Sequence, residues 1–113
     1  MSHVITLTEA NFDQEVANSN VPVLVDYWAP WCGPCRLLGP VVEQVAAERA
    51  GTLKVAKVNV DEQPHLADLA GVQGIPFVVL YRDGRPVASA VGAQPKQALE
   101  RALGLDAATR EAA

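Results

Sequence analysis

The sequence is poor in cysteine, in basic charge and in long apolar runs, and each shortage excludes a class of protein. Two cysteines in 113 residues cannot build a disulfide scaffold. Nine basic against thirteen acidic residues give a net charge of −4, the wrong sign for binding nucleic acid by bulk charge. No apolar run reaches the roughly 18 residues of a membrane span, and no basic start precedes an apolar segment as in a secretory signal. We therefore expect no nucleic-acid partner, no membrane association and a cytoplasmic location.

The remaining composition is that of a folded domain. Half of the residues are hydrophobic and 19% are charged, which excludes intrinsic disorder. A chain of this length buries roughly two-thirds of its unfolded surface and can form a core without staples. We predict one domain over residues 1–104 and a frayed, Ala-rich tail over residues 105–113, and we expect a monomer.

Strand and helix patterns alternate along the chain. Short helices are predicted to begin with a capping box at Asn11 and with a cap at Asp61, and a last helix opens at Pro95. A longer helix runs from Cys35 to about Arg49 with Pro40 inside it. The predicted strands are Val4–Leu7, Val21–Trp28, Leu53–Val60, Phe77–Tyr81 and Pro86–Val91. This order predicts an α/β fold with a mixed central sheet of about five strands and about four helices on both faces.

The chemistry of the chain lies in the segment Trp31-Cys-Gly-Pro-Cys35, which follows a strand and opens the long helix. Unpaired amide groups and the helix dipole stabilise a thiolate at Cys32, which lowers its pKa and makes it the attacking nucleophile. Cys35 lies one turn further along, close enough to form a disulfide and to resolve a mixed disulfide. Pro34 is tolerated in the first turn, where its missing N–H would be unpaired. The pattern indicates thiol–disulfide exchange.

A carboxylate stands inside the most apolar predicted strand. If that strand is buried on both faces, desolvation raises the pKa of Asp26, and this group could accept the proton of Cys35. The alternative is a solvated residue at the strand end, or one satisfied by a backbone donor. For Lys57, the alternative to a functional role is a buried stem with its ammonium group in water.

With these motifs the sequence resembles the thioredoxin family from about Val4 to Leu103. A C-x-x-C motif near a strand–helix–strand unit is commonly interpreted as a redox motif of this family. The resemblance implies a thioredoxin fold and a protein-disulfide reductase that carries electrons in the Cys32–Cys35 pair, with Gly33 and Pro34 typical of the reducing members. It implies that Asp26 accepts the proton of Cys35.

Further roles follow from the resemblance alone. Lys57 is implied to tune Asp26 across neighbouring strands, and the bond before Pro76 to be cis. The implied substrate groove, which pairs with an extended chain of the target, consists of Trp31, Gly74, Ile75, Pro76 and Gly92. The partners would be disulfide-containing proteins and a thioredoxin reductase that uses NADPH, and no cofactor would be bound, in keeping with the absence of a dinucleotide fingerprint.

Three other interpretations are open from the sequence. The pair could serve a disulfide oxidant or isomerase instead of a reductase. The domain could be a redox-independent binding module, in which both cysteines are incidental. A zinc site from Cys32, Cys35, His3 and His65 is formally possible, although the spacing matches no common zinc pattern; both histidines are predicted to face solvent.

Overall fold

A computed structural model describes residues 3–105. Its strands are β1 (Val4–Thr6), β2 (Val23–Trp28), β3 (Lys54–Asn59), β4 (Phe77–Arg82) and β5 (Arg85–Val91). Its helices are a short π-helix (Asp13–Ala17), α1 (Gly33–Glu48), α2 (Pro64–Ala70) and α3 (Lys96–Ala102). The α/β class and the mixed sheet predicted from the sequence are confirmed. Within residues 3–105, none of these helices has the length and apolarity that crossing a bilayer requires.

The five strands form one sheet in the order β1-β3-β2-β4-β5. β2 lies at its centre, parallel to β3 and antiparallel to β4. The β4–β5 hairpin turns at Asp83 and Gly84, whose φ angles are 54° and 78°. Positive φ at both turn positions is the requirement of a type I′ turn, and Asp-Gly is one of the dipeptides that favour it.

Side-chain alternation along β2 divides the interior into two layers. Leu24 belongs to a core shared with α1 and α3, whereas Val25 and Tyr27 belong to a core shared with the π-helix and α2. In the second layer, the hydroxyl groups of Tyr27 and Tyr81 form a buried hydrogen bond of 2.7 Å. The central strand is therefore covered on both faces, which its nearly continuous apolar run predicted.

Ion pairs fasten α3 to the carboxyl end of α1. Arg49 Nη2 donates to Glu100 Oε2 at 2.7 Å, and the side chains of both residues are largely buried. Lys96 Nζ contacts Glu48 at 2.8 Å and Glu100 at 3.6 Å. Leu105, placed in the tail by the sequence analysis, is 2% exposed and packs in the α1–α3 core. Residues 106–113 lie outside the described residues, so the tail remains a prediction.

Two predicted helix caps are wrong. Asn11 does not cap a helix: its Oδ1 accepts from the Thr8 N–H at 2.7 Å, its Nδ2 donates to the Thr6 carbonyl, and the π-helix has no side-chain cap. Asp61 does not cap α2, which begins at Pro64 without a capping side chain. The Asn59 side chain instead accepts from the Asp61 N–H at 2.9 Å. The side chains of Asn11 and Asp61 thus bind other groups: Asn11 bonds the backbone of Thr6 and Thr8, and the Asp61 carboxylate accepts from the Trp31 indole.

Candidate active site

Cys32, the predicted nucleophile, is the N-cap of α1. Its backbone is extended (φ −87°, ψ 111°), and its Sγ accepts a hydrogen bond from the Cys35 N–H at 3.2 Å. Gly33 and Pro34 occupy the first turn and are exposed. One otherwise unpaired amide of the helix is thus satisfied by sulfur, and the positive end of the helix dipole lies beside it.

The two cysteines form a disulfide with a Cα–Cα distance of 5.3 Å. Both side chains are nearly buried, with relative exposures of 4% for Cys32 and 5% for Cys35. The Cys32 Sγ lies 3.8 Å from the carbonyl oxygen of Ile75 in the loop before β4. The amino end of α1 therefore abuts that loop, and a thiol at Cys32 would lie close to its backbone.

The loop before β4 contains the cis peptide bond Ile75–Pro76, as the family resemblance implied. Pro76 is buried, and its carbonyl accepts the Gly92 N–H at 2.8 Å. Gly92 has a φ of 90°, a conformation that L side chains rarely adopt. This hydrogen bond joins the Gly92 turn to the proline loop, and the contact of Cys32 with Ile75 places the disulfide beside them at one edge of the sheet.

An apolar groove of about 520 Å³ adjoins this edge, and Trp31, Gly74 and Ile75 line it together with Val60 and α2. Trp31 is 67% exposed, and its Nε1 donates to the Asp61 carboxylate at 3.0 and 3.3 Å. Three of the five predicted groove residues, Trp31, Gly74 and Ile75, therefore line one groove, and its role in substrate binding stays a prediction. Pro76 and Gly92 are placed beside the groove rather than in its lining.

Two residues at this edge were not among the candidate site residues predicted from the sequence. Asp61 fixes the Trp31 indole, but its sequence context indicated a helix cap. Val91, next to Gly92 on the edge strand β5, is 62% exposed. Only the dipeptide Val91-Gly92 could have pointed to it, because exposure is decided by packing that the sequence does not display.

Asp26 is buried, which settles the question that the sequence left open. Its residue is 5% exposed, on the face of β2 that points toward α1. Burial raises the pKa of Asp26 from its ordinary value of 3.8 to about 7, and the charge of Lys57 opposes part of that rise. Its Oδ1 has no hydrogen-bond partner among the described residues. Asp26, Lys57 and Cys35 line one cavity of about 430 Å³.

Lys57 lies directly opposite Asp26 in the parallel β2–β3 pair. Its ammonium nitrogen lies 5.5 Å from the ring centroid of Trp28, within the range of a cation–π contact. The Trp28 Nε1 is buried and has no partner among residues 3–105. Such a donor typically costs about 1–3 kcal/mol.

His3 and His65 are exposed, as predicted. Among the described residues, no group of three or more His, Cys, Asp or Glu side chains is arranged to hold a metal ion. The chemistry available to the site is that of two sulfur atoms at a helix N-terminus, with a buried carboxyl group behind them and an apolar groove in front.

Comparison with known proteins agrees with this arrangement. The Thioredoxin family model matches residues 3–104. The chain is 48% identical over 103 residues to Thioredoxin 1 of Nostoc sp., covering 91% of this chain and 96% of the relative. It is 50% identical over 102 residues to Thioredoxin of Mycobacterium tuberculosis, covering 90% of this chain and 88% of the relative. A third relative, Thioredoxin of Alicyclobacillus acidocaldarius, is 48% identical over 99 residues, covering 88% and 93%.

Proposed function

The chain belongs to the thioredoxin family of protein-disulfide oxidoreductases, and we propose that it is a dithiol electron carrier that reduces disulfides in other proteins. The observation that carries this proposal is the Cys32–Cys35 disulfide at the N-terminus of α1, next to the exposed groove. A helix N-terminus favours the thiolate form of Cys32, which supports reduction of other disulfides over purely structural pairing.

In the proposed reaction, the Cys32 thiolate attacks one sulfur of a target disulfide. The target S–S bond breaks, one target thiolate leaves, and a mixed disulfide joins Cys32 to the target. The Cys35 thiol then loses its proton and attacks the Cys32 Sγ, which releases the second target thiolate and forms the Cys32–Cys35 disulfide. Two electrons pass to the target, and its two thiolates take up protons.

Asp26 is the proposed proton acceptor for Cys35. The two residues line the same cavity, and a pKa of about 7 lets the carboxyl group take and return a proton near neutral pH. Lys57 is proposed to tune this group, because its positive charge favours the ionised carboxylate. Both roles are supported by position and electrostatics.

The groove is the proposed binding site for the target chain. Gly33 and Pro34 are exposed and have small side chains, so they leave the surface next to the sulfur atoms accessible. The loop of Gly74, Ile75 and Pro76 would offer its backbone to an extended segment of the target, in the manner of an added β-strand. Trp31 on one side and Gly92 on the other would bound that segment.

Members of this family work with a thioredoxin reductase and need no bound cofactor. We propose that a separate NADPH-dependent thioredoxin reductase restores the dithiol, since the sequence lacks a dinucleotide fingerprint. We also propose that the protein works as a monomer in the cytoplasm, where glutathione and related systems keep thiols reduced.

Catalysed reduction of insulin disulfides by dithiothreitol tests the function. We expect turnover with the intact chain, and none with Cys32→Ser. Cys35→Ser should accumulate a mixed disulfide through Cys32, whereas Cys32→Ser and the double variant should accumulate none. Equal trapping by both single variants would refute the assigned roles. A reduction potential well above the cytosolic glutathione poise would refute the reductase and favour an oxidant or isomerase.

A further inference from the structure

Trp28 has a feature that packing alone does not explain. Its Nε1 is one of two buried side-chain nitrogen or oxygen atoms without a partner among the described residues, and the other is Asp26 Oδ1. Both residues line the cavity that reaches Cys35. A phenylalanine at position 28 would fill much of this space without burying an unpaired N–H group. We therefore expect the indole to make an interaction that a phenyl ring makes less strongly.

The Trp28 indole ring contacts the ammonium group of Lys57. The nitrogen lies 5.5 Å from the Trp28 ring centroid, and tryptophan is the strongest cation acceptor among the aromatic side chains. The ion pairs described in residues 3–105 do not include Lys57. A long lysine side chain held only by its stem would be free to extend its charge into water, and the aromatic face opposes that movement.

The geometry of the sheet makes this contact relevant to Asp26. Asp26 and Trp28 are two residues apart on β2 and point to the same face, and Lys57 is the direct β3 neighbour of Asp26. The antiparallel neighbour on β4 is Val78, which carries no charge. The other titratable or charged groups lining the cavity come from α1 and are Cys35, Arg36 and Glu43. Lys57 is thus the charged group that the sheet itself presents to Asp26.

From these contacts we propose that Trp28 is a positioning residue whose ring holds the Lys57 ammonium at a fixed place beside Asp26. This inference deepens the proposed function and rests on the proposed role of Asp26 as proton acceptor. The Trp28 ring also packs against the cluster of Ala29, Cys32 and Cys35, but in this role it acts through Lys57. The raised pKa of Asp26, which the charge of Lys57 moderates, is consistent with such a tuning contact.

The test is a mutant cycle read out by the titration of one carboxyl group. The pKa of Asp26 is measured by carbon-13 NMR in the oxidised full chain, in which neither cysteine titrates. Lys57→Met is introduced with Trp28, with Trp28→Phe and with Trp28→Leu. Phe keeps a weaker aromatic face, and Leu keeps only apolar volume. Arg36 and Glu43 are unchanged throughout, so their effects cancel in the comparison.

We expect Lys57→Met to raise the proton-binding constant of Asp26 about tenfold when Trp28 is present, and less than about threefold in Trp28→Leu. The Phe background should fall between them, because its ring attracts cations less strongly. Equal effects in all three backgrounds, or no effect with Trp28 present, would overturn the proposal. If Trp28→Leu does not fold, the comparison of Trp with Phe decides the matter alone.

Lys54→Met is the matched control. Lys54 lies on the same strand and carries the same charge, but its ammonium group pairs with Glu15 at 2.9 Å and not with the Trp28 ring. It should leave the titration of Asp26 unchanged in every background. The measurement involves no turnover, so a failure to reduce insulin would refute the proposed function, whereas additive effects in the cycle would refute only the role of Trp28.

Discussion

Asp26→Asn should stabilise the folded protein in a pH-dependent way. Burial raises the pKa of Asp26 from 3.8 to about 7, so the folded state binds this proton more tightly than the unfolded chain. The favourable contribution of Asp26 is therefore complete below pH 3.8 and is lost as pH rises to about 7. Above that pH the carboxylate remains ionised and buried, and the loss no longer grows.

The magnitude follows from the interval between the two pKa values. About three pKa units correspond to about 4 kcal/mol, taken as an order of magnitude. Asparagine has nearly the same shape and no charge, so it avoids this loss. We expect the free energy of unfolding of Asp26→Asn minus that of the parent to be smallest near pH 4. It should rise with pH and level off above about pH 7.

The assay is urea unfolding of the oxidised proteins at several pH values between 4 and 8. All other titrating groups are shared by the two proteins. A constant change in the free energy of unfolding from the buried amide does not alter how the difference varies with pH. Asp68→Asn, the same change at an exposed helix position, controls for the substitution itself. A difference that is constant with pH, or that shrinks as pH rises, would refute the reasoning.

Three further substitutions test packing away from the sulfur atoms, each by urea unfolding at pH 7. Glu100→Gln should lower the free energy of unfolding by about 2 kcal/mol, because it removes the charge of the buried carboxylate that accepts two hydrogen bonds from Arg49. Tyr27→Phe should lower it by about 1 kcal/mol by leaving the Tyr81 hydroxyl unpaired, while replacing both tyrosines by Phe should restore most of the loss. Gly84→Ala should lower it by more than about 1 kcal/mol, since φ is 78° and the added Cβ would meet backbone of the π-helix at 3.1 Å.

Each of these predictions has a control in the same chain. Glu62→Gln removes an exposed acidic charge and should change stability by less than about 0.5 kcal/mol. Gly71→Ala also meets a positive φ, of 72°, but its Cβ would have open space, so it should be milder than Gly84→Ala. Equal losses at the two glycines would show that contact with the π-helix is unimportant. A double Phe variant no better than Tyr27→Phe would contradict the hydroxyl pairing.

Much of the fold could be predicted because local chemistry and tertiary structure agree there. Asp83 and Gly84 supply the positive φ angles that their turn requires, and Gly71 ends α2 in a left-handed conformation. The C-x-x-C segment opens α1 as its position after a strand indicated. At these places the backbone conformation is decided by residues next to one another in sequence.

The errors arose where contacts outside the predicted element decide the outcome. Asn11 and Asp61 could each cap a helix, but the Thr6 carbonyl at the end of β1 and the Trp31 indole bind their side chains instead. Whether Asp26 was buried depended on how α1 packs over β2, and the contact of Trp28 with Lys57 depended on the strand register. None of these is encoded in local spacing.

The six residues of β2 have two roles, and the alternation of their side chains separates them. One face carries the groups near the sulfur atoms, and the other face packs the second core layer. Leu24, Asp26 and Trp28 face α1, whereas Val23, Val25 and Tyr27 face the other layer. Substitutions on the second face can therefore change volume or hydrogen bonding without placing a new group beside the sulfur atoms. A slip of one residue in strand pairing would exchange the faces and remove the carboxyl group from the cavity. The mutational tolerance of this strand should consequently alternate from one position to the next.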